Sequence, residues 1–157
     1  MALLGNILWL VLGGWAAFLA YSVAAVLFLP IFLPLFRLAR YAAWPFGREV
    51  VAQSELDQYR KLTGGATERS EFQAGLKNVS GVLNGLWMLT FGWVIALGHL
   101  VLCIINVFFF WMVVTIPNIA GHWKLIPVAF RPFNRVIVPA DLAKEVRLRI
   151  AKSNLNL

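Results

Sequence analysis

The sequence predicts an all-α integral membrane protein in which one hydrophobic helical module occurs twice in tandem. Three observations predict this fold class: an apolar composition, two long stretches without charge, and an internal repeat. Apolar residues make up 61% of the 157 residues and charged residues only 13%, against roughly 45–50% and about 25% in soluble domains. A soluble domain of this length cannot bury so much apolar surface, because small domains leave a large share of their surface exposed.

The charged residues are absent from two long stretches of the chain. Residues 1–36 and residues 78–123 contain no charged side chain, and each stretch exceeds the ~20 apolar residues that span a bilayer. The first stretch begins without a basic segment and is too long for a cleavable signal peptide, whose apolar core has about 7–15 residues. We therefore expect both stretches to be membrane segments that the protein retains.

The basic residues lie beside these stretches. All 14 Lys and Arg residues fall either between residues 37 and 77 or between residues 124 and 152. Basic residues that flank membrane segments mark the cytoplasmic side. The net charge of +7 is thereby explained by a multi-pass protein that contacts membrane lipids, with the linker and the C-terminus cytoplasmic. Nucleic acid is not expected as a partner.

Asparagine, tryptophan, glycine and proline residues at matching spacings form the internal repeat. The front of the module recurs 78 positions later and the back recurs 87 positions later, so the second copy has gained 9 residues. This insertion corresponds to about two and a half helical turns. The matching elements are Asn6-x-x-Trp9 and Gly14-Trp15 with Asn84-x-x-Trp87 and Gly92-Trp93, then Pro30, Arg37 and Pro45-Phe46-x-Arg48 with Pro117, Lys124 and Pro132-Phe133-x-Arg135.

The repeat and the charge pattern divide the chain into four segments. Each module is predicted to contain a hydrophobic stretch, a break at Pro30 or Pro117, and a short amphipathic helix at the membrane interface. The tail is expected to form an amphipathic cytoplasmic helix that begins near Asp141. The segments are membrane module 1 (residues 1–51), a cytoplasmic linker (52–77), membrane module 2 (78–138) and a basic amphipathic tail (139–157).

The number of membrane-embedded helices stays open between three and four. The second uncharged stretch is long enough for a hairpin of two helices, with Asn106 near the bend. The first stretch is shorter, and it could form a tight hairpin or cross once with the N-terminus outside. Equivalence of the two copies favours four helices, some of them short or re-entrant, whereas length favours three.

Polar side chains within the apolar stretches are the first set of candidate site residues. In a medium of low dielectric constant, each needs a hydrogen-bond partner on a neighbouring helix or water in a pore. The sequence leaves both interpretations open. The set consists of Asn6, Asn84, Thr90, His99, Asn106, Thr115 and Asn118.

Basic residues next to the apolar stretches are the second set. Such residues line the cytoplasmic mouth of a pore, where they attract anions, or they bind lipid headgroups. The set consists of Arg37, Arg40, Arg48, Lys124, Arg131 and Arg135.

Neither a catalytic centre nor a metal or cofactor site is predicted. His99 and Cys103 have the i, i+4 spacing of metal ligands, but a third ligand is not evident, because we place His122 beyond the break at Pro117. Neither apolar stretch contains a carboxylate, and the serines have no evident base that would make a nucleophile of them. We therefore expect that the protein is not an enzyme.

Several of these motifs occur together in a known family. They are Asn6-Ile-Leu-Trp9, Gly13-Gly14-Trp15, Trp44-Pro45-Phe46-Gly47-Arg48, Asn84-Gly-Leu-Trp87, Gly92-Trp93, His99, Ile116-Pro117 and Arg131-Pro132-Phe133-Asn134-Arg135. The chain thereby resembles the YccF-type family of small bacterial inner-membrane proteins, whose repeated unit is the inner membrane component domain. The resemblance implies a bacterial inner-membrane location with a cytoplasmic linker, and little about activity. At Asn134 the family pattern looks like Gly, and we expect the turn to survive because Asn tolerates the left-handed conformation.

Two functions remain for a protein of this kind. The first is a homo-oligomeric channel or passive pore that favours anions or neutral solutes, because the apolar stretches lack the carboxylates of cation channels. Small residues at four-residue spacing, such as Gly81 and Gly85, favour a homo-oligomer. The alternative is a non-conducting membrane anchor or scaffold, which binds a cytosolic protein through the linker and the tail.

Overall fold

The computed structural model describes residues 2–29, 32–65 and 71–155, and these residues are mostly helical. They form two compact units. The bundle unit consists of Met1–Phe46 and Val82–Phe133, and the ribbon unit consists of Gly47–Gly81 and Asn134–Leu157. The ribbon unit thus contains most of the predicted linker together with the predicted tail. The four-segment division of the sequence itself stays a prediction.

The order of elements repeats along the chain. In the first copy the helices are α1 (Ala2–Trp9), α2 (Trp15–Leu27), α3 (Phe32–Ala43) and, after strand β1 (Arg48–Ala52), α4 (Gln53–Leu62). In the second copy they are α5 (Glu71–Trp87), α6 (Trp93–Phe108), α7 (Thr115–Phe130) and, after strand β2 (Arg135–Pro139), α8 (Ala140–Asn154).

A π-helical turn joins the first two helices of each copy into one long helix. The turns are Leu10–Gly14 and Met88–Gly92, at equivalent positions of the repeat. Each ends in a glycine that lies against a tryptophan ring: a Cβ on Gly14 would stand 2.5 Å from Trp9 Nε1, and one on Gly92 would stand 2.8 Å from Trp87 Cδ1. Since real Cβ atoms do not approach another atom so closely, both positions require glycine.

Both long helices have the dimensions and composition of membrane spans. Ala2–Leu27 has 26 residues and a mean hydropathy of 2.0, and Lys77–Phe108 has 32 residues and a mean hydropathy of 2.2. Within their most apolar windows only 28% and 22% of the residues are buried in the protein. Both helices are thus long enough and apolar enough to cross a bilayer, and most of their apolar surface is exposed.

The expected helix break at Pro117 is wrong. Thr115–Phe130 is one helix, with Pro117 in its first turn and Pro127 in its interior. Proline is tolerated in a first turn because the backbone N–H groups there have no partner within the helix. Pro34 likewise lies in the first turn of α3. The segment around Lys124 is therefore part of α7 rather than a separate helix.

The all-α prediction is incomplete, because each copy contributes one strand to a two-stranded β-sheet. Strands β1 and β2 pair antiparallel, and their register places Val50 opposite Ile137, which are equivalent residues of the repeat. Each strand follows a residue with a left-handed backbone, Gly47 at φ 82° or Asn134 at φ 58°. The expectation that Asn134 preserves the turn is thereby confirmed.

Each unit has a core of its own. In the bundle unit, Trp87 and Phe133 of the second copy pack with Ala24, Ala25 and Leu35 of the first. In the ribbon unit, the helices α4 and α8 cover the strands, and the core contains Val51, Leu56, Val138, Ala143 and Val146. Both cores therefore combine residues from both copies, which explains why neither copy forms a unit by itself.

Candidate functional site

An asparagine in each copy connects the long helix to the segment that follows the shorter helix. Asn6 Nδ2 donates to Phe46 O at 3.0 Å, and Phe46 N donates to Asn6 Oδ1 at 2.9 Å. Asn84 and Phe133 make the same two bonds at 3.4 and 3.1 Å. The structure therefore gives two of the predicted polar residues, Asn6 and Asn84, backbone partners within their own copies.

A tryptophan in each copy adds a second tie. Trp9 Nε1 donates to Ala42 O at 2.7 Å, and Trp87 Nε1 donates to Ala129 O at 2.7 Å. Each ring also packs on the other copy, Trp9 edge-on against His122 at 4.8 Å and Trp87 edge-on against Phe28 at 5.6 Å between ring centroids. Each tryptophan therefore bonds within its own copy and packs on an aromatic ring of the other copy inside the bundle unit.

A column of polar side chains runs between α6 and α7, and we call it the polar column. His99 Nδ1 lies 3.0 Å from His122 Nδ1, and Asn118 Nδ2 donates to Asn106 Oδ1 at 3.3 Å. Between these pairs Cys103 Sγ lies 3.7 Å from the Ile119 carbonyl oxygen. The column ends at Thr115, whose hydroxyl donates to the Phe109 carbonyl at 3.0 Å. Its members are His99, Cys103, Asn106, Thr115, Asn118 and His122.

Some buried polar atoms of the bundle unit have no hydrogen-bond partner in the protein. In the described part of the bundle unit they are His99 Nε2, Asn118 Oδ1, Tyr21 Oη and Ser22 Oγ. The Tyr21 ring is stacked on His99, with 6.2 Å between ring centroids. Buried polar atoms are almost always hydrogen-bonded, to ordered water where no protein group is available. The bundle interior therefore offers hydrogen bonds to small polar molecules.

The insertion in the second copy lengthens the column. Positions equivalent to His99 and His122 hold Tyr21 and Leu35 in the first copy. The register of the repeat places the inserted residues between Trp93 and Pro117, where they lengthen the α6–α7 hairpin, and Asn106 and Thr115 lie in this stretch.

The column unites four of the seven predicted polar residues, and the other three, Asn6, Asn84 and Thr90, bond elsewhere. His99, Asn106, Thr115 and Asn118 belong to it, whereas the Thr90 hydroxyl donates to Leu86 O at 2.9 Å within its own helix. Sequence reasoning missed His122 as a partner of His99, because the break expected at Pro117 does not occur. The i, i+4, i+7 spacing of His99, Cys103 and Asn106 is the signal that marks the column face of α6.

The predicted basic residues are divided between the two units. Arg37 and Arg40 are exposed on α3. Lys124 Nζ donates to Pro45 O at 3.1 Å and lies 5.9 Å from the centroid of the Phe46 ring. Of the others, the exposed Arg131 belongs to the bundle unit, and Arg48 and Arg135 belong to the ribbon unit.

Polar contacts in the ribbon unit join its two helices and the first strand. Tyr59 Oη donates to Glu145 at 2.9 Å, and Arg147 lies 3.8 Å from Glu49. The hydrogen bond to Glu145 raises the pKa of the Tyr59 phenol. Arg149 also belongs to this group, since its Nε lies 3.9 Å from Glu145 Oε1. All of these side chains face water, so they add little stability. Across the described residues of both units, His, Cys, Asp and Glu form no group of three that would hold a metal ion.

The long apolar helices and the polar column in their bundle are features of an α-helical membrane protein. The model of the inner membrane component domain, YccF, matches residues 4–48 and 82–135. The chain belongs to this family, as the repeated motifs predict, and the two matched segments lie in the two copies.

Curated relatives agree with this membership. The chain is 27% identical over 149 residues to "Inner membrane protein YccF" of Escherichia coli (strain K12), with 90% of each chain covered. The protein of the same name from Shigella flexneri gives the same identity and coverage. No solved structure matches the chain. An inner-membrane location is thus supported by family and relatives together.

Proposed function

We propose that this chain assembles into a homo-oligomeric inner-membrane pore, which passes anions or small neutral solutes in preference to cations. The polar column is the observation that carries the proposal. It places amide, hydroxyl and imidazole groups inside a membrane bundle, with His99 Nε2 and Asn118 Oδ1 lacking protein partners. Polar groups retained within a membrane, at a cost in free energy, commonly line the path of a solute or ion.

The charges favour anions. Neither uncharged stretch contains a carboxylate, whereas cation channels commonly use rings of Asp or Glu. Exposed Arg37 and Arg40 follow the first stretch, and Lys124 and Arg131 follow the second. Oligomerisation multiplies this positive charge by the number of subunits, which concentrates anions at the pore mouth and repels cations.

Glycines on the long second helix support the oligomer. A Cβ added at Gly81 or Gly85, which lie one helical turn apart, would meet no atom within 4 Å. Small residues without a neighbour allow another helix to approach closely, and such approaches stabilise helix contacts in membranes. A second copy of the chain fits this position, because each subunit carries the same face.

Conductance in planar bilayers tests the pore. With a potassium chloride gradient, we expect the reversal potential to move towards the equilibrium potential of chloride. The double substitution Arg37→Gln and Arg40→Gln should weaken this preference, whereas Gln58→Ala, an exposed and uncharged position on α4, should not. A reversal potential that follows potassium would contradict the proposal. Silent bilayers, together with liposomes that show no glycerol-driven swelling, would favour an anchor.

We also propose four membrane-embedded helices, with the N-terminus, linker and tail on the cytoplasmic side. The bonds of Asn6 to Phe46 and of Asn84 to Phe133 support this, because they bring the start and the end of each copy to the same end of its hairpin. The basic residues favour the cytoplasm for that end. Helix α3 has 12 residues, about 18 Å, so it is a short embedded helix rather than a full span of the ~30 Å core.

Cysteine labelling tests this topology. On a Cys103→Ala background, Gln58→Cys and Asn154→Cys should react with an impermeant reagent only from the cytoplasmic side. Val113→Cys, at the exposed bend between α6 and α7, should react only from the periplasmic side. Opposite accessibility of Gln58→Cys and Asn154→Cys would refute the arrangement.

A membrane anchor for a cytosolic protein is the second candidate. The ribbon unit supports it, because a unit with its own core presents the exposed basic residues Arg147, Arg149 and Lys152 along α8. A partner with an acidic surface fits this helix. The conductance experiment separates the two candidates, since an anchor requires no flux.

A further inference from the structure

The His99–His122 pair lies deep within the helices of the bundle unit, at one end of the polar column. His99 follows Asn84 by 15 residues along a continuous helix, which places it about 22 Å from that helix level. The two side chains are 6% and 4% exposed. Their Nδ1 atoms are 3.0 Å apart, which is hydrogen-bond distance.

The geometry fixes how the two rings share protons. A neutral imidazole has one N–H donor and one bare nitrogen that accepts. If the two Nδ1 atoms form a hydrogen bond, one ring donates there and the other accepts there. The remaining nitrogens, the two Nε2 atoms, are then of opposite kinds: one is a bare acceptor and the other carries a proton. The pair therefore has a proton-accepting end and a proton-releasing end.

Aromatic and small residues surround the pair on every side that the described contacts reveal. Tyr21 of α2 is stacked on His99, and Trp9 of α1 meets the edge of His122. In the π-helical turn, a Cβ on Gly13 would stand 3.9 Å from His122 Nε2. Cys103 follows one turn later on α6. On α7 the nearest charged residue is Lys124, whose ammonium donates to Pro45 O.

These neighbours include no carboxylate, because none occurs in residues 1–48 or 78–138. A fixed negative charge would hold a proton permanently on the pair. His99 Nε2 and the Oη of the stacked Tyr21 are buried without protein partners, and such atoms hydrogen-bond to ordered water. The pair therefore has hydrogen-bonding groups beside it and no carboxylate that would hold a proton on it.

We propose that the His99–His122 pair relays protons within the membrane. A proton from water binds the bare Nε2 of one ring, and the Nδ1 proton of that ring crosses to the Nδ1 of the other. The second ring then releases its Nε2 proton to water on the far side. One proton enters and one leaves, so both rings end neutral with their tautomers exchanged. Each ring must then exchange protons with water, losing one from one ring nitrogen and gaining one at the other, before the pair returns to its starting tautomers and passes a second proton.

The polar column continues the path in one direction. Asn106 and Asn118 form the next side-chain pair along α6 and α7, and Asn106 lies 7 residues beyond His99, about 10 Å. Amide and hydroxyl groups hold ordered water without binding a proton themselves. This relay goes beyond the proposed pore, because one subunit contains all of its groups and no anion takes part.

Proton uptake by proteoliposomes of the full chain tests the relay. With a potassium diffusion potential set by valinomycin and a pH-sensitive dye inside, uptake should exceed that of protein-free liposomes, with the same rate in chloride and in gluconate. His99→Asn and His122→Asn should each lower the uptake by about 100-fold, because general acid–base groups contribute on that scale. Val101→Asn, which adds the same amide to the exposed face of α6, should leave it unchanged.

Three results would overturn the relay: uptake at the protein-free level, a rate that requires chloride, or folded histidine variants that conduct like the parent chain. A chloride requirement would still be compatible with the pore, so the two proposals fail separately. Ring-nitrogen NMR of the parent chain labelled with ¹⁵N-histidine needs no variant. We expect Nδ1 signals that average protonated and bare nitrogen, whereas two rings fixed with bare Nδ1 atoms would overturn the relay.

Discussion

Replacing Gly121 by alanine is expected to lower the free energy of unfolding by about 1–3 kcal/mol, the usual cost of overpacking a core. A Cβ at this position would overlap Trp9 Cε3. The Trp9 ring cannot move aside, because it is fully buried and its Nε1 donates to Ala42 O at 2.7 Å. The added methyl group therefore strains the contact by which the two copies pack together.

Gly98 provides the matched control for this substitution. A Cβ there would meet no atom within 4 Å, and alanine is a better helix former than glycine by about 1 kcal/mol. Gly98→Ala should therefore be neutral or stabilising. Thermal unfolding in detergent, followed by tryptophan fluorescence, compares the two variants. Equal losses of stability at both positions would show that the Trp9 contact is not as described.

Replacing Asn6 by leucine is expected to cost about 2–6 kcal/mol, because two backbone groups of Phe46 lose their partner and each such loss costs about 1–3 kcal/mol. Asn6 is 1% exposed, and its amide accepts from Phe46 N and donates to Phe46 O. The equivalent substitution Asn84→Leu should act in the same direction on the second copy. The effect at Asn84 should be smaller, since its donated bond is longer, at 3.4 Å.

Asn78→Leu is the control for both asparagines. Asn78 is exposed on α5, six residues before Asn84 in the same helix. Its replacement should change stability by less than about 0.5 kcal/mol. If Asn78→Leu and Asn6→Leu were equally destabilising in the same unfolding assay, the ties to Phe46 would not be the cause.

The internal repeat in the sequence predicted much of the fold. The repeated Asn and Trp residues make the same hydrogen bonds in both copies. Asn6 and Asn84 bond the backbone of a phenylalanine, and Trp9 and Trp87 donate to the backbone carbonyl of an alanine. Family membership followed from these motifs. The strand pair was not predicted, since β1 and β2 are far apart in sequence and each is only 5 residues long. Segments this short pair only when the rest of the fold brings them together.

The candidate site was predicted in part. Polar residues in an apolar stretch are conspicuous, so His99, Asn106 and Asn118 could be named from the sequence. Their partners could not be assigned, because the break expected at Pro117 separated His122 from them. A proline in the first turn of a helix and a proline that ends one look alike in sequence. The contact between His99 and His122 depends on the packing of α6 against α7 as one continuous helix, which the sequence did not predict.

The oligomeric state in lipid tests the proposed pore most directly. The chain reconstituted into nanodiscs large enough for several copies should form a closed ring, detected by native mass spectrometry and by electron microscopy of the particles. We expect a polar axis through the ring, with Gly81 and Gly85 at the contacts between subunits. A monomer, or a dimer without an axial path, would contradict the pore and leave the membrane anchor as the function of this protein.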